Sequence, residues 1–409
     1  MEMKEARSKQ KLRVFKGEEF NFQLLRALSC MGEKGAELGE CLQAAAGIND
    51  GDLDSWVESF EGMAVRIESL ARSCAAAGHP ASARDAFLRA SNYYRAAEYF
   101  SFASDPGFQA RWMKSRDCFQ DACRLMPFNA EPVLIPFAGV ELPGYFFKPP
   151  ESARRPTLMI HGGADSSGEE LYFWCVPEAL RRGYNALIFE GPGHRGAVHL
   201  HPELVERFDF EVPVAAAVDW LVTRPDVDPQ RLALLGFSAG GYRCARAAAF
   251  ERRLSAVILS APIRDIHALV TSMFSGLLSK IPAGMIDRAA ARMMRRDPLL
   301  RQSIEYWCWK NGIQSVAELL DSQKQFTLQG LEQNITCAVL SLVGEGEGRA
   351  SVEQARRFHA NIGSTVKELR VFTRAEGAED HCQLNNHALR NQVAFDWLDA
   401  VLGMSRSLA

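Results

Sequence analysis

The stretch Gly236-Phe237-Ser238-Ala239-Gly240-Gly241 has the residue types and spacing of a serine nucleophile. Gly-x-Ser-x-Gly acquires reactivity when it forms a tight, strained turn between a strand and a helix, which lifts the hydroxyl above the strand ends. The apolar run Leu232-Ala233-Leu234-Leu235 ahead of it reads as that strand, and the Ala- and Arg-rich stretch behind it as the helix. Gly236 and Gly240, two residues to either side of Ser238, leave room for backbone and helix.

A serine attacks only when a general base takes its proton and an acid orients that base. In this strand–turn–helix setting the partners follow in the order serine, acid, histidine. The histidines beyond residue 336 are His359, His381 and His387. His359 falls inside a predicted helix and His387 opens the last one. His381, in RAEGAEDHCQLNN, falls in the loop between the last strand and the last helix and is the expected base. For the acid, Glu347 lies three residues beyond Gly344 in GEGEG, at a strand end, and is the first choice. Asp265, just past the preceding strand, is the alternative. Asp380, next to His381 in the chain, would not face its ring.

Negative charge on an attacked carbonyl needs two preorganised donors. The backbone N–H groups of Ala239, directly after the nucleophile, and Gly163, in the His161-Gly162-Gly163 loop after strand PTLMI, are the expected pair. His161 reads as a loop brace. Asp165, Glu169 and Glu170 start a helix, where acids favour the dipole; Asp165 and Glu170 are also candidates for a substrate hydroxyl. His194, in GPGHRG, is a candidate pocket residue or a second brace. A Gly-x-Gly-x-x-Gly turn after the first strand, a Walker motif and HExxH are all absent, so neither a metal nor a cofactor is expected.

These residues need a scaffold. Residues 20 to about 125 carry helical periodicity with few strand signals, with Asp52 or Asp54 placed to cap one helix and Gly78 to end it. EPVLIPFAGVELPGYFFKPP reads as a hairpin turning at Ala138-Gly139. Strands and helices then alternate, which predicts a mainly parallel sheet covered on both faces. Residues 266–335 read as mainly helical, with HALVTSMFSGLLSKI the first helix, and interrupt the alternation where a lid would sit. The expectation is an α/β-hydrolase fold with an N-terminal helical domain or cap (1–128), a catalytic domain (129–265 and 336–409) and a helical lid insertion (266–335). Tyr306, Trp307 and Trp309, with Met273, Met285, Met293 and Met294, are candidates for an aromatic-accepting pocket in the lid, or for plain core.

Composition narrows the class. The chain has 409 residues, 47% hydrophobic and 24% charged, which suits a soluble globular protein with a sizeable core. A formal net charge of −3 argues against a dedicated binder of nucleic acid or anionic membrane. The charged start, MEMKEARSKQKLRVFKGEEF, lacks the apolar core of a signal peptide, and no run of about twenty apolar residues occurs. The ten cysteines show no C-x-x-C pairs, which suits buried free thiols and a reducing, cytoplasmic setting.

GGADSSGEELYFW, NALIFEGPGHRG, DVDPQRLALLGFSAGGY and AEDHCQLNN together resemble a family of hydrolases. It includes bacterial 2,6-dihydroxypseudooxynicotine hydrolase and the fungal enzymes that shorten polyketides in melanin-type pigment pathways. The resemblance runs over roughly residues 80–400. It implies a serine hydrolase whose N-terminal helices help close the site, often as a homodimer, and whose characteristic reaction is hydrolysis of a carbon–carbon bond beside a ketone. Ser238 and His381 match the family's nucleophile and base. At the acid the chain departs from the family, offering GEGEG where members commonly carry an aspartate.

The expected function is therefore acyl-enzyme hydrolysis of a small keto or polyketide-like molecule, with retro-Claisen C–C cleavage first. A carboxylesterase or peptidase, an acyl transferase or cyclase, and a ligand-binding protein with a decayed site are the alternatives. Products separate the enzymes from one another, and a Ser238→Ala variant separates them all from the binding protein.

Overall fold

A computed structural model describes residues 12–151, 153–273 and 282–404. Five helices come first: α1 (Glu18–Leu28), α2 (Leu38–Ala46), α3 (Leu53–Ala76), α4 (Pro80–Tyr99) and α5 (Gly107–Cys123). Their ends follow local chemistry. Asp52 caps α3 by accepting from the Asp54 and Ser55 amides, and Pro80, which has no N–H to leave unpaired, opens α4.

Strands β1 (Asn129–Phe137) and β2 (Val140–Lys148) form the expected hairpin. Ala138 and Gly139 both adopt positive φ (48° and 86°), the two-residue turn that matches strand twist. The alternation that follows is β3 (Arg155–His161), α6 (Gly168–Arg181), β4 (Asn185–Phe189), α7 (Arg195–Leu200), α8 (Glu211–Val222), β5 (Val227–Phe237), α9 (Ala239–Phe250) and β6 (Leu254–Ser260). Next come α10 (Ile266–Met273), α11 (Ala283–Met294), α12 (Pro298–Asn311) and α13 (Val316–Ser322). The chain closes with β7 (Ala338–Gly344), α14 (Arg349–Asn361), β8 (Lys367–Phe372) and α15 (His387–Leu402). The part of the expected helix HALVTSMFSGLLSKI beyond Met273 lies outside the described residues, as do residues 1–11 and 405–409. The short α7 was not foreseen, because six residues are too few to show a period.

The eight strands run in the order β1-β2-β4-β3-β5-β6-β7-β8, parallel from β4 through β8. β3 lies between β4 and β5, so the chain leaves β3 first to one side and later to the other. The crevice at such a reversal, outside the carboxyl ends of the strands, is where ligands bind in open parallel sheets. Both the loop after β3 and the turn after β5 open there.

Side chains alternate between the two faces along the buried end of β5: Leu232 and Leu234 join one apolar cluster, Ala233, Leu235 and Phe237 the other. The second cluster also holds Trp56, Phe60, Tyr93 and Phe100 of the N-terminal helices. Those helices therefore share a core with one face of the sheet. No helix among the described residues is long and apolar enough to cross a membrane.

Candidate active site

Ser238 sits between β5 and α9 with φ 54° and ψ −123°, a conformation that strains any residue but glycine. Packing holds it there. A Cβ on Gly236 would stand 2.2 Å from the Gly240 carbonyl oxygen, and one on Gly240 would stand 2.6 Å from that of Gly162. The turn closes only because both lack side chains. The Ser238 amide donates to the Ser260 carbonyl of β6 at 2.7 Å, tying the turn to the next strand.

His381 comes from the loop between β8 and α15, and its Nε2 lies 2.8 Å from Ser238 Oγ. Its Nδ1 lies 2.5 Å from Glu347 Oε2. An ionised carboxylate only accepts, so Nδ1 is the donor toward it, and in the neutral ring Nε2 is the nitrogen left to accept the serine proton. Glu347 is itself held: its Oε1 accepts the Gly344 amide at 2.9 Å, in a turn of 3-10 helix at the end of β7. Two loops meet at that point, since a Cβ on Gly344 would stand 2.1 Å from the Glu379 carbonyl oxygen. Burial opposes a charge on His381, but Cys382 and the Glu347 carboxylate outweigh it and hold the ring well above the ordinary histidine pKa.

The other acids lie elsewhere. Asp265 turns its Oδ1 to the Ala268 amide at 2.7 Å and caps α10, with no bond to His381. Glu345 is exposed and accepts the Arg374 amide. Asp380 accepts the amide of His381 itself, not its ring.

The loop after β3 approaches the nucleophile as expected, with one difference. A Cβ on Gly163 would stand 2.9 Å from Ser238 Cβ, but the Gly163 N–H donates to Ser166 Oγ at 3.0 Å. A short side chain three residues on has captured the amide that was expected to face the substrate. Ala239 opens α9 beside Ser238 and, like it, is partly exposed.

The candidate binding residues divide. Glu170 is fully buried and gripped by Arg26 of α1, whose Nε and Nη2 each donate at 2.6 Å, so it is closed to any substrate. Asp165 accepts from Arg26 Nη1 at 2.9 Å and keeps 35% of its side chain exposed. It faces His381 closely enough for their charges to interact, and Arg26 overcomes the effect of burial to hold its carboxyl below the usual range. His194 does not line the site: it is buried beneath the loop, Nε2 3.1 Å from the Gly163 carbonyl oxygen and 2.9 Å from Arg243 Nη1. It braces the loop with His161, whose ring lies 4.0 Å away centroid to centroid. Burial and the cationic neighbour Arg243 keep both rings neutral.

Sequence reasoning did not find the charged frame around this loop. Arg195 donates to the Asp165 carbonyl at 3.1 Å and pairs with Glu98 of α4. From α12, Tyr306 Oη and Lys310 Nζ donate to the Ala164 carbonyl at 2.9 and 3.0 Å. The one available signal was a charge inside an apolar helical run, such as Arg26 in FNFQLLRAL, which demands a buried partner. The aromatics of α12 serve this frame: Tyr306 stacks under Arg195, and Trp309 packs on Phe108 and His199. Met285 and Met293 face outward, 58% and 42% exposed, and form neither pocket nor core.

The chain is similar to known proteins. The family profile described as esterase FrsA-like matches residues 55–311. The 20-hydroxy-prefusarin hydrolase FUS2 of Gibberella moniliformis is 29% identical, over 97% of this chain and 99% of its own. The alpha/beta hydrolase xenA of Xenoacremonium sinensis is 31% identical, over 93% and 96%. Among solved structures, the 2,6-dihydroxy-pseudo-oxynicotine hydrolase superposes with a TM-score of 0.72 at 21% identity, over 93% of this chain and 97% of its own.

Proposed function

Since the chain belongs to the FrsA-like esterase family and has the α/β-hydrolase fold, we propose that it is a serine hydrolase that forms an acyl-enzyme on Ser238 and cleaves a carbon–carbon bond beside a ketone in a small polyketide-like molecule. The observation that carries the acyl-enzyme is the continuous line Ser238 Oγ, His381 Nε2, His381 Nδ1, Glu347 Oε2, at 2.8 and 2.5 Å.

In this reading Ser238 Oγ attacks the substrate carbonyl as its proton passes to His381 Nε2. Glu347 holds the ring in the accepting tautomer and stabilises the imidazolium that forms. The Ala239 amide and a donor from the loop after β3 take the charge growing on the carbonyl oxygen. In a β-dicarbonyl substrate, collapse of the adduct breaks the adjacent C–C bond, and its electron pair leaves as an enolate that takes the His381 proton. Water, deprotonated by the same nitrogen, then attacks the acyl-enzyme and releases a carboxylic acid and Ser238. Asp165, ionised and half open beside His381, accepts a substrate hydroxyl.

The keto-substrate part rests on relatives, whose names specify hydrolysis of 20-hydroxy-prefusarin and of 2,6-dihydroxy-pseudo-oxynicotine. The family description favours one second reading, a carboxylesterase, which follows the same path with an alkoxide leaving group. Intact mass after treatment with a fluorophosphonate tests the nucleophile: one adduct is expected, absent from Ser238→Ala. A folded wild-type protein that takes no adduct refutes the acyl-enzyme. Products from a β-diketone and a matched ester then separate the two readings.

A further inference from the structure

Ser166 stands out among the buried polar groups near the nucleophile. Its Oγ accepts the Gly163 amide at 3.0 Å, and the residue is only 4% exposed. The hydroxyl also carries a proton of its own, and no acceptor for that proton occurs among the described residues. A buried hydroxyl with an unplaced proton is costly unless something arrives to accept it. The neighbouring space belongs to the nucleophile: the missing Cβ of Gly163 would stand 2.9 Å from Ser238 Cβ and 3.4 Å from Ser166 Oγ. Ser166 Oγ and Ser238 Cβ thus both pack against the bare Cα of Gly163.

Given the acyl-enzyme reading above, we infer that Ser166 Oγ–H is the second donor of the oxyanion hole. The Gly163 amide acts behind it, as the group that positions and polarises the hydroxyl. The amide donates into the Ser166 oxygen, which strengthens that hydroxyl as a donor to the substrate oxygen. Such chained hydrogen bonds reinforce one another in a low-dielectric site. No bond is made or broken at Ser166; it stabilises the charge that appears when Ser238 attacks. The frame around it suits the role. Tyr306 and Lys310 hold the Ala164 carbonyl and Arg195 holds that of Asp165, so the loop bearing Ser166 is fixed before substrate arrives.

The test is steady-state hydrolysis of a p-nitrophenyl ester and of its thiono analogue by the wild type, Ser166→Ala, Ser166→Cys and Ser238→Ala. Ser166→Ala is expected to lower kcat on the oxygen ester by about 10²–10³-fold, the cost of one oxyanion donor, with KM little changed. Sulfur accepts hydrogen bonds poorly, so the loss on the thiono ester should be at least tenfold smaller; a merely structural defect slows both equally. Ser166→Cys, close in size but a weak donor, is expected to follow Ala and serves if Ala fails to fold. Wild-type rates in Ser166→Ala would mean that the freed Gly163 amide does the work, and would overturn the inference alone. Equal losses on both esters would overturn it too. Absence of Ser238-dependent turnover in the wild type would sink the acyl-enzyme reading and this inference with it.

Discussion

Replacing Glu347 by glutamine changes one oxygen to an NH2 group, and the geometry says where that group must point. Oε1 accepts the Gly344 amide at 2.9 Å, at a position only 5% exposed. Turning the NH2 toward that amide would oppose two donors in a buried place, at about 1–3 kcal/mol. The NH2 therefore faces His381 Nδ1, which must present its lone pair. The ring's proton moves to Nε2, where it points at Ser238 Oγ and cannot accept from it. This tautomer error costs about 10⁴ in kcat in a Ser-His-Asp triad, or about 5 kcal/mol of barrier. Glu347→Asp keeps the charge but withdraws it by about 1.5 Å, one C–C bond, and a misplacement of that size costs about 10²-fold. The assay is turnover of a p-nitrophenyl ester, with fluorophosphonate labelling as a second readout and Asp265→Asn as comparison. The reasoning fails if Glu347→Gln keeps more than a tenth of wild-type turnover, or if Asp265→Asn loses as much.

Three further outcomes follow from the same contacts. Because Glu347 and Cys382 raise the His381 pKa and the base must be neutral to work, kcat/KM should rise with pH through a midpoint above 6.5. That midpoint should move down in Glu347→Gln, read from the residual rate of the variant against pH. Arg26→Leu should cost about 3–5 kcal/mol in urea denaturation, because it leaves the buried Glu170 only its longer pairing to Arg95 at 3.6 Å, and Arg26→Leu with Glu170→Leu should recover part of it. Glu190, buried at the end of β4 and near Glu169, has its carboxyl pushed up first by burial and then by that neighbour. The folded state then holds a proton that the unfolded chain releases near the ordinary carboxyl pKa, so stability should fall as pH rises from there through the raised value. Glu190→Gln should flatten that slope in thermal unfolding; an unchanged slope would count against the shared burial.

The parts of the molecule legible in sequence are those governed by local rules. Gly236-x-Ser238-x-Gly240 announces itself because only a turn without side chains at its flanks can pack. The parallel sheet shows as alternation of apolar runs with amphipathic ones. Glu347, first choice over Asp265 from its strand-end position three residues past Gly344, lies 2.5 Å from His381 Nδ1. The rest depends on partners far off in the chain. Arg26 and Glu170 are 144 residues apart, and nothing near either one names the other. The capture of the Gly163 amide by Ser166 is local, but it depends on the backbone path of a loop whose residue types allow several. His194 read equally as a pocket residue or a brace, because a histidine in a Gly-rich loop has the same appearance whether it faces outward or inward.

The Arg26 clasp also bears on how such proteins can diversify. It ties the first helix of the chain to the two carboxylates that follow the β3 loop, so the N-terminal helices and the catalytic sheet do not vary as independent modules. A chimera that imports those helices from a relative inherits whatever residue stands at the Arg26 position. Unless that residue is a cation with the same reach, Glu170 is left buried without its bidentate partner. Exchange of the N-terminal helices is then best tolerated between chains that share this ionic lock, or where both sides of it change together.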